Sequence, residues 1–182
     1  MSFTLRRVAE ADLDALALVG AATFLDAFAG VLDGQAILAH CAREHSVGRY
    51  RDYLAAGATA WLAEATPGGA PIGYALLGAV QLPGANTEHD IELKRIYALS
   101  RYHGSGLGAD LLGRAVDEAR QCGRKRLLLG VYSRNARALA FYAKHGFSRV
   151  GTRTFQVGEQ TYDDFVMAKP LELDDRSRSP KF

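Results

Sequence analysis

Cysteine is scarce in this chain. Cys41 and Cys122 are the two in 182 residues, and they stand far apart. They build neither a metal-ligand spacing nor a disulfide framework, so a reducing, cytoplasmic setting is expected, and a secreted disulfide scaffold or a zinc module is not. Long apolar runs are missing too. The longest covers residues 15–25 and is closed by Asp14 and Asp26, short of the ~17 residues a membrane-spanning helix needs. Neither sign of charge is in surplus: 22 Lys and Arg face 20 Asp and Glu, a net +2. That balance gives no reason to expect a nucleic-acid or membrane partner. No repeat or low-complexity tract appears. What is present is an ordinary globular composition, 48% hydrophobic and 23% charged, sufficient for one core. A single domain is expected over residues 1–172, with a solvated tail at 173–182 that carries Asp174, Asp175 and Arg176.

Periodicity predicts the elements. Residues 3–8 read as a strand. Asp12 opens a helical pattern with Leu13, Leu16, Gly20, Phe24, Phe28 and Val31 three or four apart. One further helix is expected over 35–54. Strands at 59–66 and 72–82 flank a Pro67-Gly68-Gly69 turn, which makes a hairpin. A strand at 91–99 leads to the clearest helix, 106–122, whose Leu107, Leu111, Leu112, Ala115, Val116 and Ala119 share one face before Gly123 stops it. A strand at 126–132, a short helix at 135–145 and strands at 148–157 and 162–171 complete the order. The fold class expected is α+β (mixed α/β). Its centre is a mostly antiparallel, twisted sheet of about six to seven strands with one parallel β-α-β crossover at 91–132 and helices on its flanks.

The most informative stretch is Arg101-Tyr102-His103-Gly104-Ser105-Gly106-Leu107-Gly108, between a strand and a strong amphipathic helix. Glycines there let the backbone turn its N–H groups toward one point, and the helix dipole behind them favours an anion. A phosphate or pyrophosphate is the natural occupant. The P-loop string is absent. The dinucleotide fingerprint is matched formally by Gly104, Gly106 and Ala109. It lacks its acidic ribose partner, because no Asp or Glu occurs between Glu118 and Glu159. A tight strand-to-helix turn that binds nothing is the remaining bland reading.

Arg101-x-x-Gly104-x-Gly106 resembles the R/Q-x-x-G-x-G/A signature of the GNAT superfamily of N-acetyltransferases. Two neighbours strengthen the resemblance. Residues 92–99, Glu-Leu-Lys-Arg-Ile-Tyr-Ala-Leu, resemble the family's central strand. Residues 135–147, from Asn135 through Tyr142 to Gly146-Phe147, resemble the segment in which members carry an Asn, a Tyr and a closing Gly-Phe. The match is firm over about 91–148.

The resemblance implies acetyl transfer from acetyl-CoA, as cosubstrate, to an amine, with no metal. It implies that the backbone of His103, Gly104, Ser105, Gly106, Leu107 and Gly108 holds the pyrophosphate, aided by the Arg101 side chain. The backbone of Tyr97, Ala98 and Leu99 would dock the thioester and pantetheine, and Asn135 would reach the pantetheine or simply cap its helix. Tyr142 would protonate the departing thiolate. Glu92 would take the amine's proton, with Glu88, His89, Asp90 or a water relay as substitutes, or it would be a solvated residue paired with Lys94 or Arg95. Nine basic residues at 119–158, among them Arg134, Arg137, Arg149 and Arg153, suit the phosphates of CoA. No acyl-enzyme is required of either cysteine.

The acceptor is expected to be a primary amine of a small molecule, polyamine-like, or of a peptide. Asp26, Asp33, Glu44, Glu88, Asp90, Glu92, Glu159, Asp163 and Asp164 fall in the segments that would surround it, and they would suit a cation. An open sheet with edge strands is expected to pair into a homodimer. Three rivals stand beside this reading: a non-catalytic acyl-CoA sensor on the same fold, an NADP-binding enzyme using the same glycines, and a basic interaction module that binds nucleic acid.

Overall fold

The computed structural model describes residues 2–157 and 160–171. Seven strands form one sheet in the order β1-β2-β3-β4-β5-β7-β6. They are β1 (Ser2–Arg7), β2 (Thr59–Thr66), β3 (Pro71–Gly78), β4 (Asp90–Ala98), β5 (Arg126–Tyr132), β6 (Ser148–Val157) and β7 (Gln160–Pro170). Five helices accompany them: α1 (Leu13–Phe28), α2 (Gly34–Glu44), α3 (Val47–Ala55), α4 (Leu107–Gln121) and α5 (Ala136–Lys144). The expected class holds: the sheet is antiparallel except for β4 and β5. The end of the domain expected at residue 172 and the tail at 173–182 lie outside the described residues.

The single helix expected over 35–54 is corrected to two. The Cys41 carbonyl receives the His45 N–H, and Ser46 leaves the helix at φ −76°, ψ 153°, its side chain accepting from Arg49 N at 3.1 Å. A serine that caps the next helix ends the one before it, and the apolar spacing alone did not reveal the break. The strand expected to reach residue 82 ends at Gly78. Val80 and Leu82 instead pack down on Leu128, Val166 and Ala168.

Two cores sandwich the sheet. The apolar stripe of α4 is buried on one face against Trp61, Leu77, Leu93, Leu127 and Leu129, and Tyr142 of α5 joins it. The four large α4 side chains, Leu107, Leu111, Leu112 and Val116, contribute about 2 kcal/mol each. On the other face α1 and α3 cover Leu62, Tyr74 and Leu76 with Leu13, Leu16, Val19 and Tyr50.

Gly20 permits the second core to close. A Cβ built there would press into the Tyr50 hydroxyl and stand 2.6 Å from His45 Nδ1, two atoms joined by a buried 2.8 Å hydrogen bond. Alanine favours a helix over glycine by ~1 kcal/mol. Overpacking and disturbance of that bond cost more, about 2–4 kcal/mol together. Gly20→Ala is therefore expected to destabilise the protein by about 2 kcal/mol and lower its melting point by roughly 5 °C. A melting point equal to or above the wild type's in calorimetry would refute this account of the packing.

Candidate active site

The site begins with strands that part. β4 and β5 run parallel, yet they pair only through Asp90–Arg126, Ile91–Leu127 and Glu92–Leu128. β4 continues to Ala98 and β5 to Tyr132 without each other. Lys94 is an extra residue in β4, for Leu76 faces Arg95 while Leu77 faces Leu93. Such a bulge bends its strand, here at the point where the two strands diverge. The result is a cleft through the sheet that widens toward the C-terminal ends of β4 and β5.

The glycine loop stands over the wide end. A single 3₁₀ turn, Ser100–Tyr102, follows β4, and Asp26 of α1 fastens it by accepting from Ser100 N at 2.6 Å. Gly104 and Gly106 take φ values of +81° and +92°, the left-handed region that glycine enters without strain. The loop's amides are not equivalent. Those of His103 and Ser105 are engaged in turn bonds to Ser100 O and Tyr102 O, and Leu107 N meets Ser105 Oγ at 3.4 Å. The N–H groups of Gly104, Gly106 and Gly108 have no partner among the described residues. The positive end of α4 and these three amides together suit an anion. The Arg101 side chain lies over the Tyr102 ring, 5.2 Å from its centroid. The His103 ring, 3.0 Å from Ala98 O, is tied back to the strand end, and burial holds its pKa below the usual histidine value.

At the strand end, Leu99 N donates to Ile72 O of β3. Successive amides of a strand alternate in direction, so Ala98 turns its N–H toward the cleft, while Tyr97 and Leu99 turn theirs toward β3. Tyr97 instead offers its side chain, on the face toward α1, stacked with Tyr74 at 6.1 Å. Asn135 caps α5, its Oδ1 accepting from Ala138 N at 3.0 Å. Tyr142 is buried between Phe141 and Phe147. Burial raises the pKa of its hydroxyl, and Tyr97 stands near enough to add to the effect. Tyr97 packs with the core on the α1 side of the sheet and Tyr142 with the core on the α4 side.

Glu92 is buried at the closed end of the cleft. Its Oε2 accepts from Gln81 N at 2.9 Å and from Lys94 Nζ at 3.2 Å. Of the two partners expected for it, Lys94 is present. Arg95 goes elsewhere, to Glu44 O at 2.6 Å and Glu44 Oε2 at 3.0 Å, over the rings of Tyr50 and Tyr53. Most of the acidic residues expected to face an acceptor are similarly engaged. Asp26 holds Ser100, Asp33 caps α2, and Asp90 grips Arg126 at 2.6–2.8 Å. Glu159 lies outside the described residues.

The face of the sheet toward α1 and α2 carries features that the sequence alone did not single out. His40 stacks on Phe24 at 4.2 Å and meets Phe155 of β6 edge-on at 6.1 Å. His45 lies 5.7 Å from His40. Burial lowers the pKa of His40 to about 4 and of His45 to about 3, with Arg95 adding to the latter. Both rings are therefore neutral, and His40 Nδ1 and His45 Nε2 are buried without a hydrogen-bond partner. Further along, Arg153 of β6 reaches across Asp164 of β7 to lie on Gly130 of β5, where a Cβ would stand 2.5 Å from its guanidinium. Among the described residues no group of three or more His, Cys, Asp or Glu gathers as a metal site, and no helix is long and apolar enough to cross a membrane.

A mixed sheet whose one parallel strand pair parts half-way, with an anion loop at the mouth and a tyrosine beside the gap, has the architecture of an acyltransferase. The chain belongs to the acetyltransferase (GNAT) family, whose sequence model matches residues 33–147. An uncharacterized N-acetyltransferase of Mycobacterium tuberculosis is 37% identical over 160 residues, covering 88% of this chain and 98% of that protein. Among solved structures, the PaiA N-acetyltransferase of Thermoplasma acidophilum, crystallised with coenzyme A, superposes with a TM-score of 0.76 at 24% identity, over 93% of this chain and 99% of that one. An acetyltransferase of Salmonella typhimurium with acetyl-CoA bound gives a TM-score of 0.66 at 22% identity, over 100% and 99% of the two chains.

Proposed function

We propose that this acyltransferase moves the acetyl group of acetyl-CoA directly to a primary amine of a small molecule or peptide. The observation that carries the proposal is the parting of β4 from β5 beneath the three unpartnered amides of Gly104, Gly106 and Gly108. A pyrophosphate fits those amides and the α4 dipole. A pantetheine arm fits the gap, where the Ala98 N–H is the strand's free donor and the Asn135 side chain stands at the opposite rim. Arg101, just after β4, and Arg137, whose charge acts on the His103 ring, add positive charge at the mouth. Tyr142 faces the gap with a hydroxyl that burial keeps protonated, which suits it to give a proton to the leaving sulfur. The solved relatives that hold coenzyme A or acetyl-CoA support the same cosubstrate.

A polyamine finds fewer free carboxylates than the sequence suggested, since Asp26, Asp33, Glu44, Asp90 and Glu92 are bound to internal partners. The acceptor is a primary amine that approaches from the face of the sheet toward α1, α2 and β6. Cys41 and Cys122 are free thiols, which supports a reducing, cytoplasmic setting.

Thermal unfolding with acetyl-CoA, coenzyme A or NADPH tests the cosubstrate. Acetyl-CoA at a hundredfold excess over its Kd is expected to raise the melting point by about 5–10 °C. Release of free CoA thiol is then followed with spermidine, L-lysine, ethylamine and an alanine-initiated peptide. A rise with NADPH alone would refute the loop assignment. Acetyl-CoA binding with no thiol release for any amine would favour the sensor.

A further inference from the structure

We propose that Asp164, rather than Glu92, receives the acceptor's ammonium group and takes its proton, with Arg153 as the positioning residue that holds the carboxylate in place. The inference rests on the transfer reading above and concerns the same site.

Asp164 lies where the reaction would occur. It is directly opposite Tyr132, the last residue of β5, and opposite Arg153 on β6. It is therefore at the open end of the cleft, whereas Glu92 occupies the last paired position at the closed end. Its charge and that of Arg153 both act on the Tyr97 hydroxyl, and Tyr97 in turn acts on Tyr142.

The carboxylate is also prepared for the task. Asp164 is 4% exposed. Arg153 Nε and an Nη atom both bond its Oδ2, at 3.1 Å each. Oδ1 has no hydrogen-bond partner among the described residues, so one oxygen is held and the other is free to accept from an ammonium. Burial raises the Asp164 pKa, and Arg153 opposes the rise. The charged and titratable groups around it are Arg153 on β6, Tyr132 on β5, Asp163 on its own strand, and Tyr97 on β4. A buried carboxylate with one oxygen held by Arg153 and the other free to accept matches a general base. Gly130 supplies the room: with no side chain there, the guanidinium lies flat on β5 and Arg153 is fixed from below.

The step balances. An N–H bond of the ammonium breaks, and its proton goes to Asp164 Oδ1. The freed lone pair forms a C–N bond at the thioester carbon. The C–S bond breaks with its electron pair leaving on sulfur, which takes the Tyr142 proton. The nitrogen, positively charged once bonded to carbon, gives up its second proton through solvent as the amide forms; that proton replaces the one Tyr142 lost, and Asp164 releases the first to solvent.

The test compares ethylamine, which is cationic at neutral pH, with hydroxylamine, which is already uncharged and needs no deprotonation before attack. Thiol release is measured for wild type, Asp164→Asn, Glu92→Gln and Gly130→Ala. Asp164→Asn is expected to lose about a hundredfold with ethylamine and less than fivefold with hydroxylamine, with acetyl-CoA binding unchanged. Glu92→Gln is expected to lose less than fivefold with both. Gly130→Ala folds, because only the end of the flexible Arg153 side chain must move. By displacing Arg153 it frees the Asp164 pKa to rise, so the ethylamine rate–pH curve should move to higher pH. Equal losses with both amines in Asp164→Asn, or a selective ethylamine loss in Glu92→Gln instead, overturn the assignment while leaving the transfer reading intact. A wild type that binds acetyl-CoA and acetylates neither amine overturns both.

Discussion

Tyr142→Phe is expected to lower kcat by about a hundredfold while KM for acetyl-CoA changes by less than about threefold. Tyr142 is packed between Phe141 and Phe147 on the α4 side of the sheet, so phenylalanine preserves the apolar contacts and removes one oxygen. That oxygen has no hydrogen-bond partner among the described residues, so its loss leaves no orphaned group and little change in stability. Burial raises the hydroxyl's pKa above the ordinary tyrosine value, so the group stays protonated through the whole assay range. It interacts weakly with a neutral thioester. Its hydrogen bond strengthens only as negative charge develops on sulfur, which lowers the barrier without tightening the ground state. The measurement is a kcat and KM pair for each substrate together with acetyl-CoA titration. A fall in acetyl-CoA affinity at constant kcat would assign the hydroxyl to cosubstrate binding instead. The wild-type profile should show no alkaline decline attributable to this residue below pH ~10.

How much of this was legible in the sequence follows from the range of the interactions involved. The glycine loop and α4 are local. Gly104 and Gly106 meet a backbone requirement at their own positions, and Leu107, Leu111 and Ala115 repeat at the helix period. Both could be located from residues a few positions apart. The parting of β4 and β5 could not. It depends on Lys94 being extra against β3 and on a parallel pairing between strands separated by the whole of α4. Carboxylates proved hardest to read. Nine were expected around the acceptor, but an acidic side chain in a sequence does not announce its partner. Asp26 belongs to Ser100, some 70 residues away, and Asp90 belongs to Arg126. Glu44 and Arg95 come together from α2 and β4. Asp164 and Arg153 gain their place only when Gly130, two strands from Arg153, leaves a space beneath them. His40 and His45 look like ordinary polar residues of a helix and its end. Their neutrality arises from Phe24, Tyr50 and Phe155, which surround them from three other elements.

Those two histidines should make the fold unusually sensitive to mild acid. In the unfolded chain each takes a proton near pH 6.5. In the folded protein burial delays this to about pH 4 for His40 and about pH 3 for His45. The folded-state values are depressed, so the unfolded state binds more protons between these limits, and stability falls as pH falls. Each histidine contributes about 1.4 kcal/mol per pH unit once the unfolded chain is protonated. Together they are expected to remove about 5 kcal/mol between pH 6.5 and pH 4, a large share of the 5–15 kcal/mol typical of a domain. The window separates this effect from the carboxylates. Asp12, Glu64 and Asp90 are held below their ordinary values by Arg6, Arg6 and Arg126 respectively, so their stabilisation is lost only below about pH 4. Urea unfolding at half-unit steps from pH 7 to 4.5 measures the slope. His40→Phe keeps a ring on Phe24 and removes both the titration and the unpartnered Nδ1. It should raise stability at pH 7 by about 1 kcal/mol and halve the pH slope. An unchanged slope in the variant would mean that His40 is solvated and charged in the folded protein, and the aromatic wall described between α1, α2 and β6 would then have to be open to water.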